Sequence, residues 1–570
     1  MKNSTPYPVS QLLRSRIGKI CVALIGSTPA EMIEKASAAM HETSFFEFRL
    51  DYLPKPLAAL PALKQFFLDN TAATAVATCR RSKNGGKFTG SIAEEMEILS
   101  KAVAAGCHIV DVELETAESI KAAGLQPLRD QGAALIISHH DFEQTRDLDA
   151  IFNRIIKFQP EFVKIVPTAK NLVDNVTLMH FIERASDQAS IIGICMGDAG
   201  ISSRVLGLRA GSVFTFAAAT AGEETGPGQI AARTLVETYR IDQVDAATKV
   251  YGVAGNPIRS SLSPLMMNTA FRRETVNAVY LALQTTKTSD LIKLVHEIPI
   301  QGLSVTMPLK QSIMEHLENT DPLSSRIGAC NTVLRAQDGK LYGFNTDVAG
   351  IIGPLEKRLP LANAKVLVLG AGGAARAAVF GLREKGAEVF ILNRTADTAQ
   401  KLARQSGAKT IKRDAVAKMS FDVIINATPI GMAGSKGGPT SPLEPNELNA
   451  RLVFDFVYNP LETPLLRMAR QKGIAIITGI EMFVQQGARQ FEIWTGKPAP
   501  EEEMLRVVLH ALRQRAEAGA ELAPPAQPSR SATYASQPPK KKPGAEKKPT
   551  EKKAPAKKAP AKKAPTKKKK

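Results

Sequence analysis

The sequence predicts an α/β protein in three stretches: a closed eight-stranded barrel, a second α/β region around an open parallel sheet, and a tail without a fold. Three observations carry this prediction. Residues 19–217 hold eight short apolar runs, each followed by a helix-like stretch. "KVLVLGAGGAARAAVFGL", residues 365–382, sets an apolar strand, a glycine turn and an alanine-rich helix in a row. The last fifty residues are dominated by repeats of Lys, Pro and Ala.

At 570 residues the chain exceeds what one core can organise, so two or three domains are expected. Its five cysteines, Cys21, Cys79, Cys107, Cys195 and Cys330, are scattered with no CxxC pair, which argues against a disulfide framework or a structural zinc site and for a reducing compartment. No apolar run reaches membrane-spanning length, and "MKNSTPYPVSQLLRSR" lacks the apolar core of a secretory signal. The expected location is cytoplasmic. The formal net charge of +19 would suggest a polyanionic partner if it were spread over the surface. Residues 521–570, however, hold 16 Lys and Arg against 3 Glu, +13 of the total, which leaves +6 for residues 1–520.

The eight runs are "KICVALI", "FFEFRLD", "ATAVATC", "HIVDVEL", "ALIISHH", "EFVKIV", "SIIGICM" and "SVFTFA". Eight strand–helix units are the count of a (β/α)8 TIM barrel, which builds its active site at the carboxyl ends of the strands. Polar residues fall at those ends: Glu47 and Arg49, Arg80, Asp111 and Glu113, His140, and Lys164. Arg204 follows the seventh strand in "MGDAGISSRVLG", and "GPGQIAA", residues 226–232, follows the eighth, where barrels often bind anions. Lys164 lies mid-strand among Phe162, Val163, Ile165 and Val166. A buried ammonium is costly, so it calls for a paired acid or a shifted pKa, and an uncharged amine condenses with ketones to a Schiff base. A side chain that snorkels to solvent is the plainer alternative. A histidine on the neighbouring strand favours covalent catalysis.

In the second region the glycine turn falls at Gly370, Gly372 and Gly373, and the next strand, "EVFILNRT", follows at the distance expected of a dinucleotide-binding βαβ unit. An NAD site usually carries an acid at that strand end to bind the ribose hydroxyls. This chain has Asn393 and Arg394 there, which suit the 2′-phosphate of NADP. The alternative for Arg394 is a solvated loop cation. The tail, with KKAPA at 552 and 557 and KKAPT at 562, has almost no large apolar residues and repels itself, so disorder is expected of it, with either weak polyanion binding or the role of a solubilising extension without a partner.

With these residues in hand, the chain resembles a bifunctional type I 3-dehydroquinate dehydratase and shikimate dehydrogenase, over about residues 19–515. "FEFRLDY", "SHHDF", "FVKI", "MGDAGISSRVLG" and "GPGQ" carry the resemblance in the first half. "GNPIRSSLSP", "GLSVTMPLK", "GACNTV", "YGFNTDVAG", "GAGGAARA", "NATPIGM", "YNPLETPLL" and "MFVQQGA" carry it in the second. The resemblance implies Lys164 as Schiff-base lysine and His140 as general acid and base, with Glu47, Arg49, Arg80, Arg204, Thr225 and Gln229 binding substrate. It implies Lys310 and Asp347 as the second catalytic pair, with Ser261, Ser263, Thr306, Asn331, Tyr458 and Gln486 around shikimate. Gly370, Gly372, Gly373, Ala374, Asn393, Arg394, Thr395 and Gly479 would hold NADP. No residue is assigned to a metal.

Three departures from the family pattern stand out. Asn84 takes the place of an acid before the Gly-Gly of the third loop, Thr225 the place of a loop serine, and Ser260 the place of a frequent histidine.

The expected domains are a dehydratase barrel over 17–240, a substrate domain over 248–347 completed by 480–515, a Rossmann domain over 348–479, and the tail over 522–570. The implied reactions turn 3-dehydroquinate into 3-dehydroshikimate and then, with NADPH, into shikimate, two steps of aromatic amino-acid biosynthesis. The rival readings are a catabolic NAD-dependent quinate/shikimate dehydrogenase and a nucleic-acid-associated protein with a vestigial enzyme core.

Overall fold

The computed structural model describes residues 11–433 and 440–521. The Lys-rich tail expected over 522–570 lies outside the described residues. Short, mostly apolar runs of three to seven residues form the first strands: β1 Ile20–Leu24, β2 Phe45–Arg49, β3 Thr74–Thr78, β4 Ile109–Glu113, β5 Ala134–His140, β6 Phe162–Val166, β7 Ile191–Gly193 and β8 Thr215–Ala218. They pair in parallel in the order β7-β6-β5-β4-β3-β2-β1-β8. The hydrogen bond from Val213 N–H to Ile191 O brings the two ends of the sheet together. Helices follow the early strands, whereas β8 is followed only by a short π-helical turn, Thr234–Thr238.

Two further sheets follow. The first contains β9 Lys249–Gly255, β10 Ala278–Gln284, β11 Ile300–Val305, β12 Asn319–Thr320, β13 Thr332–Arg335 and β14 Leu341–Phe344, in the order β10-β9-β11-β13-β14-β12. Here β13 runs antiparallel to both of its neighbours. The second contains β15 Lys365–Leu369, β16 Glu388–Leu392, β17 Lys409–Thr410, β18 Phe421–Asn426, β19 Ala450–Asp455 and β20 Ala475–Ile477. It is parallel throughout, with the order β17-β16-β15-β18-β19-β20. That is the doubly wound arrangement, whose crevice opens where the order reverses between β15 and β18.

Alternation along β9 shows how the pieces are joined. Val250 and Ala254 belong to an apolar cluster that runs without a break from the barrel, while Tyr251 and Val253 face a separate core completed by Phe483, Phe491 and Trp494 of the helix Gly479–Thr495. The helix Leu172–Ala185 of the barrel packs against Thr288–Glu297. Arg209 Nε donates to Thr248 O at 3.1 Å, and Lys19 Nζ to Val244 O at 2.6 Å, so the connection is bonded back onto the barrel. The doubly wound sheet keeps its own core, centred on Val366, Val368, Val423 and Ile425.

Candidate active site

Register places the barrel residues. Glu47 and Arg49 alternate inward on β2, and Asp111 and Glu113 do so on β4, because side chains repeat every second residue along a strand. Thr78 on β3 is paired with Asp111, and Ser138 on β5 with Lys164 on β6, so these side chains enter the barrel at neighbouring levels. Glu47, Arg49, Arg80, His140, Lys164, Arg204, Thr225 and Gln229 together line one pocket of about 550 Å³, counting its open mouth.

Lys164 does not sit in apolar surroundings. Its strand neighbours are apolar, but its own side chain points among acids and is only 4% exposed. The ammonium donates to Asp111 Oδ2 at 2.8 Å, lies 3.8 Å from Glu47 Oε1, and stands over the Phe216 ring at 3.8 Å from its centroid. Asp111 is the hub that sequence reasoning placed at a strand end without giving it a role. It also accepts from Arg80 Nη2 at 2.9 Å and from Ser138 Oγ at 2.5 Å. Burial would raise the Asp111 carboxyl, but the charges of Arg80 and Lys164 outweigh that and hold it well below the ordinary carboxylate range.

Arg80 fans out in the pocket, donating from Nη1 to His140 Nδ1 at 3.1 Å and lying 3.5 Å from Glu113 Oε1. A guanidinium only donates, so the neutral His140 ring in this arrangement carries its proton on Nε2. Burial, with the nearby charges of Arg80 and Lys164, pushes the His140 pKa well below 6.5, and the ring is neutral at pH 7. Burial also pushes Glu113 up to about 7, against the opposing charge of Arg80.

Elsewhere on the pocket wall, Arg49 is clamped by Asp51 through bonds of 2.9 and 2.8 Å. Arg204 spends Nε on Gly228 O at 2.8 Å and Nη1 on Phe216 O at 3.0 Å, which aims the rest of the guanidinium. Thr225 donates through N–H and Oγ1 to Gln229 Oε1 at 2.7 and 3.2 Å, so these two residues form one loop clasp. Asn84, in place of an acid, donates to Glu115 Oε2 at 3.2 Å, and His139 Nδ1 lies 3.3 Å from Glu115 Oε1.

The second constellation lies between the other two sheets. Lys310 Nζ pairs with Asp347 Oδ2. Asn331 Nδ2 donates to Asp347 Oδ1 at 2.8 Å and lies 3.4 Å from Gln486 Oε1. Asn331 is itself locked, since Thr346 N–H donates to its Oδ1 at 2.8 Å and Gln490 Nε2 to its backbone carbonyl at 3.1 Å. Thr346 and Gln490 were not foreseen from the sequence; Gln490 is buried one turn after Gln486 on the same helix face. Ser263 N–H donates to Ser261 Oγ at 3.2 Å, and Tyr458 stacks on Phe483 at 4.5 Å between centroids. Thr306 follows β11, tied by its N–H to Ala254 O at 2.9 Å.

The glycine turn fits a dinucleotide. Gly370, at φ +110°, turns the chain where a Cβ would come within 3.1 Å of Ala427 O, and Gly372 opens onto free space. A Cβ on Gly373, the first residue of the helix Gly373–Glu384, would strike Lys310 Cδ at 2.9 Å, so the lysine side chain lies against the turn. A Cβ on Gly479 would come within 2.6 Å of Phe456 O. Asn393 Nδ2 donates to Thr395 O at 2.9 Å, and Arg394 between them is exposed. Unpaired N–H groups at the start of a helix and an exposed guanidinium are what a pyrophosphate and a 2′-phosphate require.

Comparison with known proteins agrees with both halves. The type I 3-dehydroquinase family matches residues 20–246. The shikimate dehydrogenase substrate-binding domain matches 253–333, the shikimate/quinate 5-dehydrogenase family 355–433, and the shikimate 5′-dehydrogenase C-terminal domain 479–509. The chloroplastic bifunctional 3-dehydroquinate dehydratase/shikimate dehydrogenase of Arabidopsis thaliana is 34% identical over 537 residues, covering 88% of this chain and 87% of that one. The NADP(+) shikimate dehydrogenase of Maridesulfovibrio salexigens is 39% identical over 267 residues, 46% of this chain and 97% of its own. Among solved structures, the shikimate 5-dehydrogenase of Thermus thermophilus in complex with NADP(H) and shikimate is 36% identical, with a TM-score of 0.43, over 46% of this chain and all of that one.

Fold and sites together define an α/β enzyme that joins a lyase barrel to a dehydrogenase in a single chain. The chain belongs to the bifunctional 3-dehydroquinate dehydratase/shikimate dehydrogenase family.

Proposed function

We propose that the barrel dehydrates 3-dehydroquinate to 3-dehydroshikimate through an imine on Lys164, and that the second site reduces this product to shikimate with NADPH. The observation that carries the reading is the chain of contacts from Lys164 through Asp111 and Arg80 to His140 at the barrel pocket. Lys164 Nζ adds to the substrate ketone and water leaves, giving an iminium that accepts the electron pair when the α-proton is removed. The resulting enamine expels the β-hydroxyl as water, and hydrolysis returns the amine. His140 moves both protons.

Taking the α-proton needs a free imidazole lone pair, and Arg80 occupies that of Nδ1. Substrate oxygen drawing Arg80 Nη1 away would free it, so capture and activation are one event. Arg49 and Arg204, with Glu47, Thr225 and Gln229, bind the carboxylate and hydroxyls.

At the second site Ser261, Ser263, Thr306, Asn331, Tyr458 and Gln486 hold the ring hydroxyls and carboxylate. Lys310, aligned by Asp347, supplies the proton that the reduced oxygen takes up. NADPH, held by Gly370, Gly372, Gly373, Ala374, Asn393, Arg394, Thr395 and Gly479, supplies a hydride when bound. The domain division we propose is 17–240, 248–347 with 480–515, and 348–479. No described helix is long and apolar enough to cross a membrane. Five buried free cysteines suit the reducing cytoplasm, where we place the protein. The tail would bind polyanions weakly through its charge.

The test is a coupled assay with 3-dehydroquinate as sole substrate, reading NADPH loss, together with borohydride trapping. NADPH consumption and a covalent adduct on the peptide holding Lys164 are expected. Labelling of another lysine, or turnover without an adduct, overturns the Lys164 assignment.

A further inference from the structure

Three acids lie on the last two loops of the barrel, within two residues along the chain of Met196 and Thr225, which line its pocket. Asp198 lies in the turn Asp198–Gly200 after β7, and Glu223 and Glu224 directly precede Thr225 of the clasp. They put negative charge beside a pocket that would take a carboxylate anion. Lys35, from the helix after β1, answers Glu223 at 2.5 Å. No barrel cation pairs with the other two among the described residues. The cation that approaches them comes from the other half of the protein: Arg259, one residue before Ser260-Ser261, places Nη1 3.8 Å from Asp198 Oδ1. Glu224 is held below the ordinary carboxylate range first by the Gly222 N–H it accepts from, and also by the charge of Arg259. The strand β10 packs against the Asp198–Gly200 turn, so this approach is built into the seam.

We propose that Arg259, a residue of the dehydrogenase half, is a positioning residue for the dehydratase: it neutralises these acids and admits the anionic substrate to the barrel pocket. The inference rests on the dehydratase reading above. Arg259 is 70% exposed along its side chain, so its effect is a screened field at the entrance rather than a structural bond. It therefore changes capture and leaves the chemistry at Lys164 alone.

The test measures dehydratase kinetics on the full chain without NADPH, at low and at high salt. Arg259→Ala should raise KM for 3-dehydroquinate by about two- to fivefold at low salt with kcat unchanged, and the difference should vanish at high salt. Arg259→Lys should restore KM, and so should the triple variant Arg259→Ala with Asp198→Asn and Glu224→Gln, which removes the repulsion instead. An unchanged KM in Arg259→Ala, a defect that persists at high salt, or a triple variant no better than the single one overturns the proposal. A wild-type chain that fails to dehydrate 3-dehydroquinate would instead sink the dehydratase reading itself.

Discussion

Lys164 Nζ and Asp111 Oδ2 stand 2.8 Å apart at the centre of the barrel, both almost sealed from solvent. The same carboxylate holds Arg80, which in turn holds His140. Two cations therefore share this anion as their nearest counterion. Asp111→Asn should leave both ammonium and guanidinium undercompensated, costing about 3–5 kcal/mol of stability because breaking a buried pair strands its partner. Dehydration should collapse while shikimate oxidation survives, and paired assays with denaturant unfolding check this.

Glu95, 1% exposed behind Arg81, is pushed by burial up to about 7. The unfolded chain gives up this proton near the ordinary 4.5, so between there and 7 the native state binds more protons and weakens as pH rises. Glu95→Gln keeps an acceptor for Thr116 Oγ1 and removes the titration. The variant should be about 1–3 kcal/mol more stable than wild type at pH 8 and close to it at pH 5. Denaturant titrations at the two pH values decide.

We propose that the cofactor preference turns on Arg394. A charge-assisted contact with a 2′-phosphate is worth about 1.5–3 kcal/mol, roughly ten- to a hundredfold in affinity. Arg394→Ala should weaken NADPH by that factor and leave NADH nearly unchanged. Equal losses for both would make Arg394 a structural residue.

Asp347 accepts from Lys310 and from Asn331, so Asp347→Asn turns one of its two acceptor oxygens into a donor facing another donor. Shikimate oxidation should fall by about 10²–10⁴ in kcat, the range of a lost acid–base group. Dehydration should be untouched, which excludes global unfolding as the cause.

Much of this was legible in the sequence because strands and glycine turns are local. Strand ends singled out Glu47, Arg49 and His140, an apolar strand singled out Lys164, and one glycine turn marked the crevice proposed for the cofactor. The role of Asp111 was not legible: its partners Arg80 and Lys164 lie 31 and 53 residues away, and only the closing of the sheet makes a strand-end acid their shared counterion. For the same reason a lysine read as surrounded by apolar residues lies among acids, since its strand neighbours point elsewhere. The π-helical turn after β8 escaped notice as well, because a short amphipathic stretch reads alike as a turn or as a helix.

The unbroken apolar cluster between the barrel and one face of the second sheet divides the protein differently from its chemistry. By reaction, β9 and β10 belong with the dehydrogenase. By cohesion, they share the interior of the dehydratase, while the doubly wound sheet holds together around a core of its own. Elements that share a continuous interior melt together. The cooperative boundary on heating should thus run through the dehydrogenase, with the shikimate pocket melting alongside the barrel and ahead of the nucleotide fold.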